Sequence, residues 1–201
     1  MARLLILTFL HILTFTTQAQ IVGYRVDKYV SEKAIDTFLI YSLSCSGGSI
    51  RFDSYKNDDP HYLIWKKEGN YFLKKFDYCN NFKIIILDSA NPLIFYLVHK
   101  KVINKEQIKP PTYYEIKKKN KPRLVVTSMV SHSCFHKFAL PFKEKQQFKY
   151  ADTYNLDFIK FDNGKKNIYY NYNQKTKFKA LIDLITGLIM QLDLNKKLEP
   201  E

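Results

Sequence analysis

Large apolar and aromatic residues crowd two neighbouring stretches, Tyr62–Lys67 and Tyr71–Phe76, in a pattern that predicts paired strands. Between them Glu68-Gly69-Asn70 predicts a tight three-residue connection, because Gly and Asn tolerate positive φ. On the first strand Leu63 and Trp65 share a face opposite Tyr62, Ile64 and Lys66. On the second, Phe72, Phe76 and the following Tyr78 share a face that Lys74 interrupts. Bulk on both faces predicts an inner pair of strands, with Lys66, Lys67, Lys74 and Lys75 reaching water by their long stems. Such an aromatic ribbon suits stacking on bases or sugars. Burial in a sheet core accounts for it without any ligand.

Helical spacing marks three other stretches. Ile35, Phe38, Leu39 and Ser42 recur at that spacing and predict a helix over Ser31–Ser44, with Ser31 as N-cap and Glu32 in the first turn, stopped by Cys45-Ser46-Gly47-Gly48. Asn91-Pro92 reads as an N-cap followed by Pro in the first turn of a helix running to about Lys105. The clearest stripe is over Thr176–Leu194, where Phe178, Leu181, Ile182, Ile185, Leu188, Ile189 and Leu192 oppose Lys179, Asp183, Thr186 and Gln191. Gly187 weakens that helix by about 1 kcal/mol relative to Ala, which leaves a hairpin over Leu184–Ile189 as the rival pattern.

The remaining apolar runs predict strands. Ile50–Tyr55 is a short one, and Phe82–Leu87 is a buried one. Tyr113–Ile116 and Leu124–His132 flank the basic turn 117–123, while Phe158–Phe161 and Asn167–Tyr172 flank the turn signal Asn163-Gly164. The sum is an α+β fold, an antiparallel sheet of about five to seven strands with two or three helices packed on it.

Composition changes this picture at the start of the chain. Met1-Ala2-Arg3, the apolar run Leu4–Phe15 and the small residues of Thr17-Gln18-Ala19 have the order of a secretory signal cleaved after Ala19. That run is shorter than the roughly 20 residues of a spanning helix. The expected organisation is a signal peptide over 1–19 and a single α+β domain over 20–201, with no transmembrane segment in the mature chain and a periplasmic or secreted location. Richness in Lys, Asn and Tyr and the Ala-Gln step at the cleavage position are similar to small exported proteins of AT-rich Gram-negative bacteria, a likeness of composition that implies no family.

The formal charge of +13 over 201 residues attracts polyanions without selecting one. Its densest expression is Lys117, Lys118, Lys119, Lys121 and Arg123, a candidate phosphate-neutralising patch that also suits a solvated hairpin tip. Three cysteines in an oxidising compartment imply one bridge and one spare thiol; Cys45–Cys79 is the expected pair, since both lie near element ends in the same half of the chain.

The segment His132-Ser133-Cys134-Phe135-His136 is the one constellation with chemistry in it. On a helix the two His share a face and suit a metal. On a strand they lie about 13 Å apart, too far for one ion. A Cys-His hydrolase needs Cys134 within reach of His61, His99, His132 or His136, and none stands in a local signature of such enzymes. The chain contains no phosphate loop, no His-Glu-x-x-His and no Gly-x-Ser-x-Gly, and no cofactor is implied. The expectation is an exported, non-enzymatic protein that binds or supports an unidentified component of the cell envelope. The alternatives are polyanion binding through 117–123 and hydrolysis through 132–136.

Overall fold

Residues 23–45, 59–115, 124–142 and 145–201 are described by the computed structural model of the chain. Their elements run in the order α1 (23–32), β1 (Phe38–Cys45), β2 (His61–Lys67), β3 (Asn70–Phe76), β4 (Ile85–Leu87), α2 (Pro92–Ile103), β5 (Thr112–Glu115) and β6 (Leu124–Thr127). Then follow β7 (Cys134–Phe142), β8 (Lys145–Asp152), α3 (Thr153–Asp157), α4 (Tyr170–Lys175) and α5 (Lys177–Leu194). Six strands form an antiparallel sheet in the order β4-β3-β2-β1-β7-β8, and β5 and β6 pair as a separate ribbon. The α+β architecture is as expected. The helices number five among the described residues, because α3 and α4 are too short to show a period.

The sheet is covered on both sides. On one face Tyr41, Ile64, Leu73 and Phe138 pack against Leu93, Tyr96 and Ile103 of α2 and Phe178, Leu181, Ile182 and Ile185 of α5. On the other, Leu63, Trp65 and Phe76 pack against Val26, Tyr29 and Val30 of α1. The alternation along β2 and β3 thus feeds two cores, which is why bulk occupies both faces of the hairpin. At about 1.5–3 kcal/mol per buried side chain, the stripe of α5 outweighs the single Gly187 and removes the rival hairpin.

One cap, Asn91, falls where expected, and Thr176, read as the start of its helix, is a second. Asn91 Oδ1 accepts from the backbone N–H groups of Leu93 and Ile94, and Thr176 Oγ1 from that of Lys179. The hairpin connection is shorter than expected. Lys67 pairs with Asn70, so the loop is Glu68-Gly69 alone, with φ of 51° and 83°. Both residues are left-handed, as the twist of a two-residue hairpin demands, and Glu68 bears a steric cost that Asn bears lightly. Glu68→Asn is expected to raise stability by about 0.5–1 kcal/mol, read as a higher urea midpoint; an unmoved midpoint would count against this turn geometry.

Four expectations are corrected. The helix placed over Ser31–Ser44 is instead the end of α1 followed by β1. The helix closes in a Schellman turn, Ile35 N–H donating to Val30 O and Ala34 N–H to Ser31 O, with Ala34 at φ 49° where Gly is the usual stop signal. The run from Phe38 to Ser42 is buried on both faces of a central strand, and such a run has no period to separate it from a helix. The strand expected over Phe82–Leu87 shrinks to β4, since Phe82 instead bridges to Pro200. The strand expected to reach His132 ends at Thr127, where Ser128 N–H turns to Pro111 O.

Of the hairpin over 158–172 only the Gly164 turn and a Lys160–Lys166 bridge exist, and Tyr170–Lys175 is the helix α4. No N-cap side chain holds α4. It is held by Asn173, fully buried, whose Oδ1 accepts from Lys109 N–H at 3.0 Å. Its Nδ2 donates to Lys109 O and Asn155 O, each at 2.9 Å. The strand expected at Ile50–Tyr55 lies outside the described residues, as does the basic turn Lys117, Lys118, Lys119, Lys121 and Arg123.

Candidate functional site

Among the described residues the strand β8 ends the sheet, paired to β7 on one side only. Its residues alternate between the two cores. Lys149 and Ala151 are buried on the α5 side, while Phe148 and Tyr150 point to the α1 side. Because α1 covers the sheet over β1, β2 and β3, these two rings lie beyond its cover, 59% and 57% exposed. Among the described residues this sheet has two unpaired edges, and the other, β4, is three residues long.

Two grooves meet on β8. The one on the α1 side encloses about 190 Å³ between Val26 and Asp27 of α1 and the strand residues Ile40, Ser42, His61, Lys137, Ala139, Phe148 and Tyr150. Its walls are largely apolar, with His61, Lys137 and Asp27 as the charged or titratable groups. The groove on the α2 side, about 360 Å³, separates Gln147–Tyr150 from the turn after α2, Asn104 to Ile108. That turn is firmly placed: the Glu106 carboxylate accepts from Lys177 N–H and Phe178 N–H at the start of α5. The Lys149 ammonium donates to the backbone oxygens of Ile103 and Glu106, and burial lowers its pKa while Glu106 opposes the fall. Two buried carboxamide oxygens bordering this groove, Asn104 Oδ1 and Gln147 Oε1, have no hydrogen-bond partner among the described residues.

The constellation His132, Cys134 and His136 is taken apart by the fold. Cys134 is bonded to Cys45, its direct neighbour across the β1–β7 ladder, and Cys79 is an exposed free thiol. This corrects the expected Cys45–Cys79 pair: register, which brings Cys45 opposite Cys134, decides the partner, and sequence proximity does not. Bonded in this way, Cys134 offers neither a nucleophile nor a metal ligand. His132 is exposed, with Nδ1 2.6 Å from Ser131 Oγ. His136 is buried, with Nδ1 2.9 Å from the Tyr41 hydroxyl, and His99 packs on Phe95. Among the described residues no group of His, Cys, Asp or Glu is arranged to hold a metal ion.

Burial pushes both His61 and His136 below the ordinary histidine value of 6.5. At His61 the bond from its Nδ1–H to Asp59 O and the charges of Asp59 and Asp27 oppose the fall, while Lys137 adds to it. At His136 the Asp157 charge opposes it and Lys179 adds to it. Both imidazoles therefore bind a proton more weakly in the folded than in the unfolded chain. Their contribution to stability is complete above about pH 6.5 and is lost as pH falls toward the lowered folded values. The denaturation midpoint is expected to drop between about pH 7 and pH 5, and to drop less steeply in His136→Gln. Parallel pH slopes for parent and variant would remove His136 from this account.

Sequence reasoning passes over the β8 edge, although its signal is present in the alternation Gln147, Phe148, Lys149, Tyr150. Alternation reports that two faces differ. It does not report that the strand is last in its sheet. The chain matches no protein-family model, no curated protein and no solved structure, so a functional reading of it rests on the geometry of this edge.

Proposed function

We propose that the chain is an exported, non-enzymatic binding protein whose ligand site is the β8 edge with its two grooves. The observation that carries the reading is their convergence: both grooves are lined by Phe148 and Tyr150, which lie exposed on the unpaired edge strand. The α1-side groove has the apolar walls with a few fixed polar groups that a binding site requires, and the α2-side groove adds a mainly polar wall. Exposed aromatic side chains give large contact area at small entropic cost.

Export is part of the proposal, with cleavage after Ala19 releasing a domain over 20–201. The Cys45–Cys134 bridge supports it, because such bonds persist in oxidising compartments. Among the described residues no helix is long and apolar enough to cross a membrane.

The test uses anilinonaphthalene sulfonate, an anionic aromatic dye whose emission rises in apolar sites. The native protein is expected to bind it, and the double variant Phe148→Ser, Tyr150→Ser to lose most of that signal while unfolding at the same urea midpoint. Equal dye binding by the variant would place the site elsewhere.

A further inference from the structure

We propose that the open edge of β8 takes an extended, acidic segment of another polypeptide as an added strand, with one of its apolar side chains seated in the α1-side groove. The inference rests on the binding reading above and names its ligand class. An edge strand presents a row of backbone N–H and C=O groups, and a peptide that pairs with it gains main-chain hydrogen bonds with no need for a preformed pocket. The edge of β8 is eight residues long. At the opposite edge β4 offers only three, and Phe82 beside it is already bridged to Pro200.

Successive side chains of an added strand face opposite sides of the sheet. On one side they meet Phe148, Tyr150 and the α1-side groove, which supplies specificity for an apolar residue. On the other they meet the groove bordered by Asn104 and Gln147, whose buried carboxamide oxygens lack donors. Amide or hydroxyl side chains on that side of an added strand bring hydrogen-bond donors into this groove beside Gln147. An apolar small molecule satisfies the first groove and leaves the second unsatisfied.

Charge selects the partner's chemistry. The Lys149 ammonium in the groove wall is held by backbone oxygens, and no ion pair with a carboxylate forms at it among the described residues. Lys137 lines the opposite groove together with Asp27, and the chain as a whole carries a formal +13. Carboxylates in the added strand complement Lys137 and the positive charge of the whole chain. A second copy of this chain brings its own +13 against the first, which opposes self-pairing of the two edges.

The experiment selects short random peptides, displayed on a carrier, against the exported and oxidised protein. The best peptide is then synthesised with N-methyl groups on alternate residues, in each of the two phases. Selected peptides are expected to alternate apolar with Asp or Glu residues. One phase of N-methylation is expected to weaken binding by about tenfold or more, since several main-chain bonds are lost together, and the other phase to change it little. Equal effects in the two phases, selection of basic or helical peptides, or self-association of the protein at working concentration each overturn strand addition. If no peptide is selected while the dye still binds at Phe148 and Tyr150, this inference fails and the binding reading stands. If neither binds, both fail.

Discussion

Replacing Cys45 and Cys134 together by Ser is expected to lower the stability of the oxidised protein by about 4 kcal/mol, as is reduction of the parent. The bridge spans 89 residues, and cross-linking a loop of that length removes a large part of the unfolded chain's freedom. It joins β1 to β7 at residues that face each other across the ladder. Cys79→Ser is the control, with an expected change within about 0.5 kcal/mol because that thiol is exposed and free. Guanidinium denaturation of the three proteins, with and without reductant, reads the result. A loss in Cys79→Ser as large as that in the double variant would restore the Cys45–Cys79 pair.

The second large effect concerns Asn173. Its carboxamide satisfies one backbone N–H and two backbone carbonyls from Lys109 and Asn155, and it is fully buried. Asn173→Ala leaves those groups short of partners where water cannot easily replace the amide. At about 1–3 kcal/mol for each buried group left unsatisfied, a total loss of about 3–5 kcal/mol is expected. Asn173→Asp separates the contributions. It keeps the acceptor for Lys109 N–H but sets a carboxylate against two carbonyl oxygens, which raises its folded pKa above the unfolded value of about 3.9. A group raised in this way stabilises the fold below its unfolded pKa and loses that contribution as pH rises through the folded one. The Asp variant is therefore expected to fall further behind the parent at neutral pH than at about pH 4. A constant deficit across that range would show that Asn173 acts through shape alone.

The bridge and Asn173 also mark how far the sequence can be read. The caps at Asn91 and Thr176 and the stripe of α5 depend on neighbours within a few positions, so the chain displays them locally. The β2–β3 hairpin is legible for the same reason, down to which residues share a face. What escapes is set by residues far apart. The run Phe38–Ser42 is a strand because α1 and α5 cover its two faces, and the residues themselves suit a buried helix equally well. Cys134 bonds to Cys45 because β7 lies beside β1. Asn173 is one asparagine among many until Lys109 is placed beside it. The candidate site belongs with these: β8 displays its alternation, while its place at the end of the sheet is a property of topology.

The strand order has a kinetic consequence. The pairs β2–β3 and β7–β8 are joined by short connections, and each is a hairpin of the kind that closes within about 1–10 μs. The seam between β1 and β7 joins residues separated by most of the chain's middle, so its closure must wait for a long loop to be ordered. This predicts two early half-sheets that dock late along β1. The rate of docking then sets how long the apolar faces of β1 and β7 remain uncovered. A chain emerging from its N-terminus meets the same delay in a stronger form: β1, β2 and β3 are available to assemble while β1 still shows one bare edge, and β7 is the strand that closes it.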